Sequence, residues 1–371
     1  MKKVPVAIYR GGTSRALFFH KKDLPDDVGE QDEIILQTIG SGHQLQVNGL
    51  GGGNPLTSRC AIIGPPSVPG ADVDYTFLYP GITEMIVDRK GNCGNISAAV
   101  GPFAVNEGLV EASGDQVTVV IYNTNTKAKL RAIFPVKNGR FDPVGDYVID
   151  GAPGTGSRIS LEFLGDPTQS ILPTGSVREK LSAPGFSQEV EVSIVQAGNL
   201  AVFCTMDALG ITGNPADWES DDALWERMEA VRGAAAVRLK MAKTLEDAKR
   251  NTPAVPKIIA LRSPQAYVDL QGRQQAQESH QCMILTAAMG VMHRSVAVTG
   301  AVATAAAAFL PGSVVNEIRG DNGEDVVIGH PSGSISLTAE LIQDGGVWMA
   351  KKIALNRTAR EIMKGEVFIE R

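Results

Sequence analysis

Val6-Ala-Ile-Tyr-Arg10-Gly-Gly-Thr-Ser14-Arg-Ala-Leu-Phe-Phe19 reads as a strand, a glycine turn and a second strand. Val192-Ser-Ile-Val-Gln-Ala-Gly198-Asn199-Leu-Ala-Val-Phe-Cys204, in the second half of the chain, reads the same way. Short polar segments follow, Lys22-Asp23-Leu24 and Met206-Asp-Ala-Leu209, each expected to open a helix. Two further pairs repeat in the same order. Gly91-Asn92-Cys93-Gly94-Asn95 leads into a small-residue, apolar helix ending near Val105, and Val298-Thr299-Gly300 leads into another ending at Phe309. Neither helix has a polar face, so each must be enclosed by its own domain. A strand ladder over 117–134 then matches one over 325–353. Three matches in one order point to a duplicated unit.

The expected architecture is α+β, with two pseudo-repeat domains, 1–180 and 181–371. Each is a mostly antiparallel sheet wrapped around a central helix. Residues 166–189, with Pro167, Pro173, Gly175, Pro184 and Gly185, read as the crossover between halves. Between Trp218 and Thr244, Leu224, Met228, Val231, Ala235 and Leu239 recur at helical spacing, so this stretch reads as an amphipathic helix.

Composition sets limits on function. The chain has 371 residues and a net charge of −6, from 35 Lys+Arg against 41 Asp+Glu. A mildly acidic chain without a basic run suits neither nucleic acid nor an anionic membrane surface. Any anion must be held by a local device. The four cysteines, Cys60, Cys93, Cys204 and Cys282, have no C-x-x-C spacing and are read as free thiols. Met1-Lys2-Lys3-Val4-Pro5 runs into a strand with no apolar leader, so a cytoplasmic location is expected. The 15-residue apolar stretch Val296 to Leu310 is short for a membrane span and reads as a buried helix. No metal-ligand spacing and no dinucleotide fingerprint is present, so neither a metal nor a cofactor is argued. A homodimer is left open.

The sharpest chemical signal is Asn92-Cys93-Gly94-Asn95 at a helix start. Flanking glycines let backbone amides approach a ligand, and the helix N-terminus favours a negative charge there. A cysteine so placed is a candidate base or nucleophile; the alternative is a turn carrying a small buried thiol. Gly49-Leu-Gly51-Gly-Gly53-Asn-Pro-Leu-Thr57-Ser58-Arg59 precedes an apolar strand. It lacks the Lys-Ser/Thr ending of a phosphate loop and is not followed by a helix. It suits a loop that offers hydroxyls and a guanidinium to a carboxylate, or else a surface loop. Thr13, Ser14 and Ser176 place hydroxyls beside glycines, which turn chemistry also explains. His293 and Arg294 lie just ahead of the second central helix and its Thr299-Gly300.

Arg10-Gly-Gly-Thr-Ser14, Thr57-Ser58-Arg59, Gly91-Asn-Cys-Gly-Asn95, Leu172-Pro-Thr-Gly175, Gly210-Ile-Thr-Gly213, Pro256-Lys257 and His330-Pro-Ser-Gly333 resemble the 2-methylaconitate isomerase (PrpF-type) family. That family includes methylitaconate and 4-oxalomesaconate Δ-isomerases. The resemblance spans nearly the whole chain. It implies the diaminopimelate-epimerase-like fold, no cofactor, and isomerisation of a small unsaturated di- or tricarboxylic acid by an allylic 1,3-proton shift or a cis/trans change. It also implies Cys93 and the position of Arg59 as the catalytic pair. Thr13, Ser14, Ser58, Asn92, Gly94, Asn95, Ser176, His293, Arg294, Thr299 and Gly300 are the expected substrate-binding groups.

The chain departs from the family pattern at one point: the family reads Thr-Ser-Lys where Thr57-Ser58-Arg59 stands. Arginine does not release its proton, so Arg59 is expected to hold a carboxylate or the dienolate while Cys93 moves the proton. Lys90 is close in sequence but outside the matched motif. The second-half counterpart of Cys93, near Val298-Thr299, carries no thiol, which disfavours a two-thiol epimerase. A racemase and a non-catalytic polycarboxylate-binding protein are the rival readings.

Overall fold

The computed structural model describes residues 2–370 except 90, 167, 219–220, 254, 289–290 and 321–322. Lys90, Pro167 and part of the expected 218–244 helix therefore lie outside the described residues. The chain divides into two compact units, Met1–Phe163 with Asn356–Arg371, and Leu164–Leu355.

In the first unit, β1 (Lys2–Gly11) and β2 (Ser14–His20) form the expected hairpin. The segment after β2 is a single 3-10 turn, Lys21–Asp23, and not the start of a helix. The helix α1 (Val28–Ile39) begins later, where the Asp27 carboxylate accepts from the Glu30 amide. Then come β3 (Arg59–Gly64), β4 (Val73–Pro80), the short β5 (Val87–Asp88), the central helix α2 (Gly94–Asn106), β6 (Gln116–Asn123), β7 (Lys129–Lys137), β8 (Arg140–Phe141) and β9 (Ile159–Leu164). Along the main sheet the pairings β1–β2, β2–β3, β3–β4, β4–β6, β6–β7 and β7–β9 run antiparallel, parallel, antiparallel, parallel, antiparallel, antiparallel.

The second unit contains β10 (Glu179–Leu181), β11 (Val190–Ala197), β12 (Asn199–Thr205), α3 (Pro215–Trp218), α4 (Asp222–Arg238), α5 (Leu245–Asn251) and β13 (Lys257–Arg262). It continues through β14 (Tyr267–Val268), β15 (Gln274–Gln275), β16 (Cys282–Ala288), β17 (Val291–Met292), the central helix α6 (Val298–Phe309), α7 (Val314–Arg319), β18 (Asp325–His330), β19 (Gly333–Asp344) and β20 (Val347–Arg357). The pairings β11–β12, β12–β13, β13–β16, β16–β18, β18–β19 and β19–β20 repeat the same series of six directions. The three matches read in the sequence are thus the hairpins, the central helices and the ladders of one topology used twice.

The repeat breaks at its edges. The last strand, β21 (Ala359–Ile369), returns to the first unit and pairs antiparallel along the whole of β1, from Lys2↔Ile369 to Gly11↔Ala359. In the second unit, β10 takes the corresponding place beside β11. The expected division at residue 180 falls inside β10, and the stretch read as a bare crossover supplies a strand. Both differences have one cause: the outer edge of the first hairpin strand must be paired, and each unit finds a different segment to do it.

Each sheet is covered on both faces. Alternate residues of the first sheet (Val6, Ile8, Leu17, Phe19, Cys60, Ile62) pack with Ile34, Ile35 and Ile39 of α1. The opposite face meets α2, where Phe103 lies 5.2 Å from Phe18 and 5.7 Å from Tyr9 between ring centroids. In the second unit Leu224, Met228, Val231 and Ala235 of α4 share a core with Val192, Val202, Ile258 and Met283, which is the apolar face expected there. Ten of the twelve residues of α6 are buried. Among the described residues no helix is long and apolar enough to cross a membrane.

The glycine turns press on the central helices. Gly12 adopts φ +51°, and a Cβ there would lie 2.1 Å from Asn95 Oδ1 of α2. Gly198, at φ +64°, stands in the same relation to α6, 2.8 Å from Val302 Cγ1. A side chain at either position would push the hairpin off its helix.

Candidate functional site

The helices of the two units divide by how they begin. Side chains cap α1 (Asp27), α4 (Asp221), α5 (Thr244) and α7 (Ser313). The two central helices have none: Cys93 is the N-cap of α2 and Ala297 that of α6, and neither makes a side-chain capping bond. The first-turn amides of a helix have no intrahelical partner, and among the described residues no N-cap side chain takes them in these two helices. In an acidic chain these N-termini are concentrated positive potential.

Arg59 opens β3 directly beside Cys93, and its Nη1 donates to Cys93 Sγ. Its Nε donates to the Pro55 carbonyl at 2.8 Å, which ties the guanidinium to the glycine-rich loop. A third contact comes from β4. Val73, Tyr75, Phe77 and Tyr79 alternate onto one face of that strand; the first three are buried, while Tyr79 is 37% exposed. The Tyr79 ring lies 5.9 Å from the Arg59 guanidinium carbon. Burial raises the Tyr79 phenol above its ordinary value, Arg59 opposing and Cys93 adding to the rise. Burial likewise lifts Tyr75 well above its ordinary value, again with Cys93 adding to it. Both phenols keep their protons at neutral pH and are hydrogen-bond donors, not bases. The contact predicts that Tyr79→Leu lowers kcat about 2- to 5-fold by loosening Arg59, the value of an exposed cation–π pair. Tyr79→Phe keeps the ring and is expected to stay near the wild-type rate in the same assay.

The remaining expected groups of the first unit fall into three sets. Asn95 Nδ2 donates to Thr13 Oγ1 at 3.0 Å, joining the hairpin turn to the first turn of α2. Asn92 Oδ1 accepts from Ser97 Oγ at 3.2 Å, and Ser97 Oγ is also 3.0 Å from the Cys93 carbonyl, so Asn92, Cys93 and buried Gly94 form one fixed turn. Ser14 Oγ and Asn95 Oδ1 are buried and have no hydrogen-bond partner among the described residues; buried polar atoms in that state are costly unless a ligand or water meets them. Ser58 behaves differently. Its side chain is fully buried and its hydroxyl donates to Gln46 Oε1 at 2.5 Å. The same Gln46 oxygen accepts from the Gly53 amide at 2.9 Å. Ser58 and Gln46 shape the glycine loop from beneath.

In the second unit, Thr299 and Gly300 form the first turn of α6, with Gly300 buried. The His293 amide donates to the Thr286 carbonyl at 2.9 Å. The Arg294 carbonyl accepts from Ser332 Oγ, which ties this segment to the turn between β18 and β19. Ser176 is half-buried just after the turn closed by Gly175 N and Leu172 O at 3.0 Å. The His-Pro-Ser-Gly turn is braced by Tyr267, whose Oη lies 2.9 and 2.8 Å from the backbone carbonyls of His330 and Gly333.

Three residues of consequence are absent from the sequence expectations. Tyr79 could have been found by pairing β3 with β4, since Cys60 faces Leu78. Asn125 clamps both backbone groups of Phe77, accepting from its amide and donating to its carbonyl, and no local pattern in the sequence marks that contact. Gln46, buried at φ +49°, leaves no signal in the sequence at all.

A profile of the PrpF protein family matches residues 1–370. The chain belongs to the PrpF family. The chain is 39% identical to the 3-methylitaconate isomerase of Eubacterium barkeri over 100% of its own length and 98% of that protein. It is 32% identical to the 2-methyl-aconitate isomerase of Shewanella oneidensis, covering 98% and 96% of the two chains. Among solved structures, a methylitaconate Δ-isomerase matches with a TM-score of 0.88 at 38% identity, covering 99% of this chain and 95% of that one. A hydroxyproline epimerase from Agrobacterium vitis matches with a TM-score of 0.56 at 13% identity, covering 98% and 92%. At that identity the second match speaks for the fold alone, which is diaminopimelate-epimerase-like, as the sequence implies.

Proposed function

We propose that this PrpF-family chain is a cofactor-independent isomerase that moves the double bond of a small unsaturated di- or tricarboxylic acid. The observation that carries the reading is the contact of Arg59 with Cys93 at the uncapped start of α2. Relatives named for methylitaconate and 2-methylaconitate supply the substrate class.

The chemistry follows from charge. Cys93 takes a proton from the carbon allylic to the double bond: the C–H bond breaks, an S–H bond forms, and the electron pair spreads through the adjacent carbonyl system. Negative charge grows on the carboxylate oxygens of the dienolate. The Arg59 guanidinium and the first-turn amides of α2 are fixed before it appears, so they stabilise the transition state without reorganising. Reprotonation two carbons away completes the shift. Thr13, Ser14, Asn92 and Asn95 hold the substrate in this reading, and Ser58 contributes by shaping the loop. Ser176, His293, Arg294, Thr299 and Gly300 are assigned to substrate on the resemblance. A cytoplasmic location and a partner limited to small polycarboxylates belong to the same reading.

The test is turnover. Methylitaconate, 2-methylaconitate and aconitate are incubated separately with the protein, and the position of the double bond is followed by proton NMR. At least one acid is expected to give a shifted product. Saturable binding of these acids without any shift would leave a polycarboxylate-binding protein instead.

A further inference from the structure

Gln46 is 1% exposed and holds φ +49°, in the left-handed region. A non-glycine residue persists there only where its surroundings over-determine it. Its surroundings are the glycine-rich loop. Gln46 Oε1 accepts from the Ser58 hydroxyl at 2.5 Å and from the Gly53 amide at 2.9 Å. A Cβ on Gly51 would lie 2.2 Å from the same oxygen, so a glycine there leaves the room that the side-chain amide fills. Gln46 Nε2 is buried and has no hydrogen-bond partner among the described residues. The loop therefore uses this side chain for its oxygen.

The two donors, Gly53 and Ser58, bracket the segment that leads to Arg59. Between them the Leu56 amide donates to Asn54 Oδ1 at 2.9 Å and the Thr57 amide to the Asn54 carbonyl at 3.2 Å, which closes a turn. The Leu56 carbonyl accepts from the Arg15 amide at 2.8 Å, which joins the turn to β2. From the same turn the Pro55 carbonyl accepts from Arg59 Nε at 2.8 Å, and Arg59 Nη1 donates to Cys93 Sγ. One glutamine oxygen thus pins both ends of the turn that aims the guanidinium. All of these residues belong to the first unit. The bonds of Gln46 Oε1 go to Ser58 and Gly53 and not to Arg59 or Cys93, so its influence on the site passes through the turn.

We propose that Gln46 is a positioning residue of the isomerisation, holding Gly53 and Ser58 in place so that Arg59 reaches Cys93. The inference rests on the isomerase reading. A displaced guanidinium keeps its charge but no longer stands fixed where negative charge develops, and that preorganisation is what speeds the reaction.

Gln46→Gly tolerates the left-handed backbone and deletes the oxygen. It is expected to lower kcat about tenfold, within the roughly 10²-fold that a small misplacement at a catalytic site can cause. The loss should vanish in the Arg59→Met background, where the turn has no guanidinium left to aim; a merely structural role would lower both enzymes alike. Gln46→Glu offers an acceptor oxygen to both donors and is expected to restore most of the rate. A second readout does not need turnover. Arg59 favours the Cys93 thiolate by its charge and by the bond it donates. The rate of Cys93 alkylation by iodoacetamide at neutral pH, taken as a fraction of the rate at alkaline pH, should drop in Gln46→Gly and in Arg59→Met, and Gln46→Glu should restore it. Should Gln46→Gly fail to fold, Ser58→Ala, which deletes one of the two donors, goes through the same cycle with the same expectations. A variant that keeps the wild-type rate and alkylation ratio, or that loses as much in the Arg59→Met background as in the wild type, overturns the proposal while leaving the isomerase reading intact. A wild type that shifts no double bond overturns the isomerase reading; the alkylation ratios then still decide whether Gln46 positions Arg59 against Cys93.

Discussion

Cys93→Ala is expected to lower kcat about 10³-fold or more, because in the proposed mechanism it removes the group that carries the proton and not merely one that orients it. The fold should survive. Cys93 makes no capping bond through its side chain, and alanine fits the same N-cap backbone. Denaturant unfolding of the variant should therefore match the wild type within about 1 kcal/mol. The thiol should also stand apart chemically. Cys60, Cys204 and Cys282 are fully buried, whereas Cys93 is 8% exposed. Burial pushes Cys204 and Cys282 up to about 12 and Cys60 higher still, so all three stay protonated and shielded. Iodoacetamide at neutral pH should modify Cys93 first, and a bound polycarboxylate should slow it. Mass-spectrometric mapping checks both points; an unlabelled Cys93 beside a labelled Cys204 would reject the assignment.

Arg59 carries the second large effect. Arg59→Met is expected to cost about 10²-fold or more in kcat, the magnitude found when a preorganised donor to a developing oxyanion is removed. Arg59→Lys is the more informative change. Lysine keeps the charge but loses the planar fork that reaches Cys93 while Nε holds the Pro55 carbonyl. A clamp weakened in this way should lose activity moderately, about tenfold, without a new limb in the pH–rate profile. Should Arg59→Lys instead be faster than the wild type and gain a basic limb, position 59 would be a proton carrier in its own right. The chain would then be an isomerase slowed by its arginine.

The repeat was legible because it is written in local signals. Paired glycine turns, two apolar helices without polar faces and two ladders each follow from spacing and side-chain type, and their order alone fixed the duplicated topology. The edges were not legible. Nothing local in Ala359–Ile369 says that it will pair with Lys2–Gly11, since the choice depends on which strand edge remains open after the rest has folded. The polar segments after β2 and β12 were read as helix starts, yet one turn of 3-10 helix satisfies them in both units. The site divides the same way. Cys93 and Arg59 stand in motifs whose glycines and hydroxyls mark close backbone approach, and they meet. Ser58 carries the same surface signs, but its hydroxyl is committed to Gln46, a partner brought in from a loop by tertiary structure alone. Tyr79 becomes visible only through strand register, which places it beside a residue distant in sequence.

The most direct test of the central claim uses heavy water. The wild type and Cys93→Ala are incubated in D₂O with the acid that the wild type isomerises, and the products are resolved by NMR. The account predicts a wild-type product whose double bond has moved and whose newly protonated carbon carries deuterium, and no shifted product from Cys93→Ala. A Cys93→Ala protein that still forms the shifted, deuterated acid at a comparable rate would contradict it.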